Sequence, residues 1–315
     1  MPELHKSYFI KEIENFKDLV IIAYVIIDDI YQEITPTHIK NRRNANDSIL
    51  SDSEIITISI IGELLTIDSE KAWLGFCEKN FKDLFPKLCG RTRFNRTCRS
   101  LHAVIDEIRK RLSAITRNQN SPVRIVDSIP LPVCKFGRAK FHKTFRGYGA
   151  TYGNCPSKKE IYFGYKLHLL VTLDGFITDF ELTSSNTDDR DSLWDILKNY
   201  ASITVLGDKG YTHKNLVSTL KQEKNIDLIP LKRDNEKVQY SKAFRQLIFK
   251  LRRRIETTTS QLTEHLNIER VRAKSLWGLI TRIKTKLLAY NLCYYINMLI
   301  GRDTNFSRIK ALIFG

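Results

Sequence analysis

The feature that most limits the fold lies at residues 160–182. Apolar side chains recur there at every second position (Ile161, Phe163, Tyr165, Leu167, Leu169, Val171), Asp174-Gly175 follows, and a second β-prone run covers 176–182. A period of two is that of a strand, and Asp-Gly between two such runs is the strongest short-range signal for a hairpin. An antiparallel pair is therefore expected in this half of the chain. Further strands are predicted at 123–127, 203–206 and 226–231, and helices at 191–200, 212–224, 241–266 and about 275–299. This order predicts a mixed α/β sheet with helices packed on it.

The first third reads differently. Ile13, Phe16, Leu19, Val20, Ala23, Ile26, Ile27 and Ile30 recur at helical spacing, which predicts a helix over 11–33. Residues 34–50 read as a polar loop. Ser51 with Glu54 three residues on has the form of a capping box before a helix running to about 67. Helices over 69–85 and 92–114 follow, the latter burying Phe94, Leu101, Val104, Ile105, Ile108 and Leu112. Its start carries Arg91, Arg93, Arg96 and Arg99, where the helix dipole disfavours cations. An anionic neighbour would account for them, so a helix-turn-helix with 92–114 nearest DNA is one reading. A plain bundle with a solvated basic face is the other. Residues 115–122 are polar and end in Pro122, the best linker in the chain. The expected division is a helical, DNA-binding domain at 1–118, a catalytic domain at 119–300 and a tail at 301–315.

Charge narrows the partner. Lys and Arg number 51 against 35 Asp and Glu, for +16. Residues 1–80 carry −6, residues 81–120 carry +7 and residues 121–315 carry +15. A long basic body after an acidic start fits a protein that lies along phosphates and releases their counterions. The apolar run at 19–27 is far short of the roughly 20 residues that cross a bilayer, and the start lacks a signal-peptide pattern. The six cysteines form no C-x-x-C pair and read as reduced thiols. A soluble, cytoplasmic protein with no membrane partner is expected.

Three acids carry the chemistry. Asp127 closes the first predicted strand and Asp208 follows the strand at 203–206, and strand ends in such sheets are where side chains converge. Glu256 lies in the helix 241–266, off a predicted buried stripe of Phe244, Leu247, Ile248, Leu251, Ile255 and Leu262, one turn from Arg252 and Arg253. Three carboxylates without His or Cys suit Mg²⁺ or Mn²⁺. Two such ions about 3.5–4 Å apart can serve the attacking and leaving oxygens of a phosphoryl transfer. Alternatively, Asp127 and Asp208 cap turns and Glu256 pairs with Arg252. Spacing alone leaves both open.

Three segments carry a resemblance: Val126-Asp127-Ser128-Ile129-Pro130, Leu206-Gly207-Asp208-Lys209-Gly210-Tyr211 and Arg252-Arg253-Arg254-Ile255-Glu256-Thr257. In this order they resemble the catalytic segments of bacterial DDE transposases, in particular the insertion-sequence 982 family. The likeness covers most of the chain, including Arg91-Thr92-Arg93-Phe94-Asn95-Arg96. It implies an RNase H-like catalytic domain behind an all-α DNA-binding domain, with Asp127, Asp208 and Glu256 as the catalytic, metal-binding triad for Mg²⁺ or Mn²⁺, two ions in all. It further implies binding of an element's terminal inverted repeats, strand cleavage and strand transfer to target DNA. A nucleoid-associated protein that forms a homo-oligomer on DNA goes with it. Lys209 and Arg252 would neutralise phosphate charge, with Arg253 beside them on the DNA. One departure is Thr263, where related transposases often carry Lys or Arg seven residues after the glutamate; Gln261 and His265 lie nearby.

Between the first strand and the hairpin, Lys135, Arg138, Lys140, Lys143, Arg146, Lys158 and Lys159 interleave with Phe136, Phe141, Phe145, Tyr148 and Tyr152. Gly137, Gly147, Gly149 and Gly153 suggest a flexible loop that grips phosphates and stacks on an unpaired base. A surface loop with its aromatics tucked into the core is the alternative. His168 reads as a sheet-surface residue, and Asp188, Asp189 and Asp191 as loop and cap residues. The rival functions are a purely hydrolytic RNase H-like nuclease, a catalytically lapsed DNA-binding relic and an RNA-binding protein.

Overall fold

The computed structural model describes residues 13–301 and 309–313, except 44, 46, 157, 213 and 234. They fall into two compact units, one of residues 1–116 with 262–315 and one of residues 117–261.

The chain begins with helices α1 (Phe16–Ile34), α2 (Thr37–Lys40), α3 (Asp52–Leu64), α4 (Glu70–Asn80), α5 (Arg91–Ser100) and α6 (His102–Ile115). The predicted stripe of α1, from Leu19 to Ile30, is buried. The capping box of α3 is present: Ser51 Oγ accepts from the Glu54 N–H at 3.1 Å while the Glu54 carboxylate accepts from the Ser51 N–H at 2.6 Å. Trp73 of α4 donates its indole N–H to the Ile58 carbonyl at 2.9 Å. Its ring lies where a Cβ on Gly62 would come within 2.7 Å, so only glycine fits there. Two details depart from expectation. The loop at 34–50 contains α2, and the helix expected over 92–114 is divided at Leu101. That fully buried residue shares its N–H among the Thr97, Cys98 and Arg99 carbonyls, the tightening of a 3₁₀ turn.

The second unit is built on strands β1 (Val123–Pro132), β2 (Thr151–Cys155), β3 (Glu160–Thr172), β4 (Ile177–Ser184), β5 (Thr204–Gly207) and β6 (Asp227–Pro230). Helix α7 (Lys143–Arg146) precedes β2, α8 (Asp189–Ile196) follows β4, α9 (Lys214–Lys224) joins β5 to β6, and α10 (Lys242–Glu264) comes after the sheet. The six-stranded mixed sheet runs β2-β3-β1-β5-β6, with β4 also on β3. The hairpin turns at Asp174-Gly175 as predicted, Gly175 taking φ +90°. Strand β1 does not end at Asp127. It continues to Pro132 because the long β3 partners it antiparallel from Arg124 opposite Thr172 to Pro132 opposite Gly164. Strands β1, β5 and β6 are parallel neighbours, with Ile125 beside Leu206 and Leu206 beside Ile229. His168 is fully buried, not on the sheet surface, and lies between Thr183 Oγ1 at 2.9 Å and Ser192 Oγ at 3.1 Å. Burial pushes its pKa down to about 4, so the ring is neutral.

The chain ends with α11 (Leu276–Leu299) and α12 (Lys310–Ile313). The compact units do not follow the predicted boundaries here. Helix α11, expected within 119–300, packs on α3 and α6 in the first unit. The physical reason is its composition: it is buried almost all round from Leu279 to Asn297, and such a helix needs other helices on every side. Of the expected tail, 302–308, 314 and 315 lie outside the described residues, while Ile309, Leu312 and Ile313 are buried. Residues 1–12, where the first helix was expected to begin, also lie outside them. No described helix is long and apolar enough to cross a membrane.

Candidate functional site

Ile125 of β1 stands beside Leu206 of β5, so two residues further on Asp127, still within β1, comes level with Asp208, just past the end of β5. Side chains of equal parity share a face of a sheet. Arg252 of α10 meets them: its Nη1 donates to Asp208 Oδ1 at 3.2 Å and its Nη2 lies 3.8 Å from Asp127 Oδ2. The guanidinium is buried, and its Nε has no hydrogen-bond partner. Asp127 Oδ1 accepts from the Ser128 N–H at 2.8 Å. Gly207, at the end of β5, leaves room for the buried Tyr211 ring, which a Cβ would approach within 3.0 Å.

Burial pushes the Asp127 carboxyl up from 3.8 to about 6, aided by Asp208 and Asp189 and opposed by the Ser128 N–H and Arg252. A measurable consequence follows for the metal-free protein. In the unfolded chain Asp127 ionises near 3.8, in the folded chain near 6, so between these values the folded state binds the extra proton. Stability therefore falls as pH rises through this window. The side chain is 32% exposed, so the expected loss is discounted to about 1 kcal/mol. Chemical denaturation of wild type and Asp127→Asn at pH 4.5 and 7 measures it; an unchanged pH dependence in the variant would refute the assignment.

The third predicted acid stands apart. Glu256 is exposed, one turn beyond Arg252. Among the described residues no three His, Cys, Asp or Glu side chains are grouped to hold a metal ion. The alternative pairing of Glu256 with Arg252 is not adopted either, since the guanidinium turns to the aspartates. The predicted stripe of α10 needs correction as well: Phe244 and Leu247 are exposed, and the buried face is Ile248, Arg252, Ile255, Thr258 and Leu262. Thr263 is partly buried.

In the sequence Asp188 and Asp189 read alike, as loop and cap residues. Asp188 caps α8, accepting from the Arg190 N–H at 3.0 Å. Asp189 is bound by Lys166 at 2.9 Å, and its Oδ2 lies 3.2 Å from where a Gly210 Cβ would stand. It thus lies against the turn after Asp208 and adds negative charge near Asp127. Nothing in the spacing separates the two acids; the one usable signal is the strand residue Lys166, a cation in an apolar run.

The basic residues fall in both units. In the first unit Arg91 and Arg96 are exposed and Arg93 and Arg99 half-buried on α5. In the second, Lys135, Arg138, Lys140, Lys143 and Arg146 are all exposed, as are Phe136, Phe141 and Tyr148. This stretch is more ordered than a glycine-rich loop suggests. Ala139 and Phe145 are buried anchors, and Tyr165 donates to the Tyr148 carbonyl at 2.9 Å. Strand β2 pairs with β3, and a Cβ on Gly153 would collide with Ser185 at 2.6 Å. Lys209 is half-buried and Arg253 exposed.

Two level aspartates, one within β1 and one just past the end of the parallel β5, closed by a buried arginine, define a carboxylate-pair site on a mixed α/β sheet. The sequence matches the family described as Transposase DDE domain over residues 117–276, a little over half the chain, and the chain belongs to that family. No curated protein and no solved structure matches it. Membership implies a DNA substrate, and DDE domains generally use divalent metal ions.

Proposed function

We propose that the chain is a bacterial insertion-sequence transposase of the 982 type, which binds the element's terminal inverted repeats, cuts the DNA strand and joins it to target DNA. The observation that carries this reading is the level placement of Asp127 and Asp208 on one guanidinium. Two carboxylates that converge on one positive charge form a cation position, and the donor set is all oxygen, as Mg²⁺ or Mn²⁺ requires. Asp127 and Asp208 would hold the metal, two ions in the full site, with Glu256 from the next turn of α10 completing the set on an RNase H-like domain. Bound there, the ions would supply Lewis-acid charge for phosphodiester cleavage. Until then Arg252 balances the two carboxylates; with DNA present, Arg252 and Lys209 face phosphate charge, with Arg253 on the same helix. The cations on α5 and at 135–146 lie along the DNA backbone, and Phe136, Phe141 and Tyr148 offer faces for an unpaired base. The protein acts in the cytoplasm at the nucleoid and assembles as a homo-oligomer on DNA.

The test uses labelled DNA ending in the element's inverted repeats, a target plasmid, and Mn²⁺ or Mg²⁺. Cutting at the repeat ends followed by joining to the plasmid is expected. Cutting without joining points to a hydrolytic nuclease, binding without cutting to a lapsed relic, and preference for RNA overturns the DNA reading altogether.

A further inference from the structure

The first unit contains a cavity of about 520 Å³, walled by α3, α4, α5 and the start of α11. Three helices begin at it: α4 at Ser69 and Glu70, α5 at Arg91 and Thr92, α11 at Ser275 and Gly278. Helix starts carry unsatisfied N–H groups and partial positive charge, and the start of α5 has no side-chain cap. Four cations on the wall, Arg91, Arg96, Arg99 and Lys274, have no ion-pair partner among the described residues. The Nε of Arg99 is buried without a hydrogen-bond partner. The acids on the wall offset them only in part. Glu63 is held by Arg282 and Lys286, Asp68 lies beside Arg282 at 3.8 Å and Arg272 at 3.9 Å, and Glu70 accepts from Asn95 at 2.5 Å.

We propose that this cavity binds one nucleotide of a DNA strand end, its phosphate held between Arg96, Arg99 and Lys274. The inference rests on the DNA reading above but concerns a different unit from the carboxylate pair. Uncompensated cations around helix starts select an oxyanion. The volume admits more than inorganic phosphate, since it is many times the roughly 30 Å³ share of one water. Trp73 and Phe94 add an apolar part of the wall for a base. A nucleotide within a base-paired stack is not free to enter a cavity, so an unpaired end is the fitting form.

The experiment compares full-length wild type with Arg96→Glu/Lys274→Glu, both positions exposed, by fluorescence anisotropy. The probes are a blunt duplex and the same duplex with a one-nucleotide 5′-phosphorylated overhang. Wild type is expected to prefer the overhang about tenfold, the worth of one bound base, and the variant to lose the preference while melting at the wild-type temperature. The variant Lys274→Arg retains it. Free dAMP at millimolar concentration should compete for the overhang. Equal affinity of wild type for both probes, or a preference surviving in the double variant, overturns the proposal. Competition by inorganic phosphate as strong as by dAMP overturns it in favour of a free-anion site. Metal-dependent cutting is scored on the same preparations. Cutting without overhang preference removes the cavity proposal alone, and preference without cutting removes the transposase reading alone.

Discussion

Asp208→Asn is expected to lower metal-dependent DNA cleavage by on the order of a thousandfold or more, because it removes a full charge from the position where a cation must sit. Asparagine has nearly the shape of aspartate, and the Asp208 side chain is 51% exposed, so folding should change by less than about 0.5 kcal/mol. Arg252 keeps Asp127 as its remaining counter-charge. DNA affinity should hold or rise slightly, since one negative charge leaves a basic surface. Initial cleavage rates in Mn²⁺, anisotropy on the same duplex and a thermal melt separate these effects. A variant that cuts within tenfold of wild type would remove Asp208 from the reacting centre. Glu256→Gln provides the internal comparison. In the structure Glu256 stands free of the aspartates, so a loss as deep as that of Asp208→Asn would require the acid to turn inward when metal and DNA bind. A mild loss would leave the aspartates with the chemistry.

How far the site was legible depends on which physical link each residue tests. Asp127 and Asp208 were legible because each sits on or at the end of a β-prone run, and period and position are properties of the sequence. Their level placement was not, since it is set by the parallel register of Ile125 beside Leu206 across a crossover of some eighty residues. Arg252 was visible as a cation but not as a buried one. The stripe through Phe244 and Leu247 looked like the packing face of α10, yet that end of the helix is exposed and the true face turns through Ile248 and Ile255 to bury Arg252. Strand β2 was hidden for a related reason. Gly153 reads as flexibility in sequence, while in the fold it is small because Ser185 lies against it. Helix α11 was legible as a buried helix, but an all-round apolar pattern does not say which helices bury it.

Glu63→Ala should be the most damaging single change to the first unit, costing about 3–5 kcal/mol, the usual penalty for leaving a buried charge unpaired. Glu63 is buried on α3 and meets two cations of α11, Lys286 and Arg282, the latter at 2.9 Å. Lys286 is fully buried, and its ammonium also donates to the Leu266 carbonyl. Burial raises the Glu63 pKa, but Lys286 and Arg282 outweigh it and hold the carboxyl below its ordinary 4.5. The sign of the linkage is therefore that of a depressed acid: the stabilisation is complete above about pH 4.5 and is lost as pH falls through the folded-state value. At pH 7 the alanine variant should melt roughly 10 °C or more below wild type. The penalty comes from the stranded cations, not from a large net gain in the pair. Glu63→Leu combined with Lys286→Met should consequently recover most of the loss, because apolar groups of similar volume replace a buried ion pair at little net cost. If Glu63→Ala melts within 2 °C of wild type, Lys286 has found water or another carboxylate. If the double variant is no better than the single one, Arg282 depends on Glu63 more than Lys286 does, and the ion cluster fixes the position of α11 on α3.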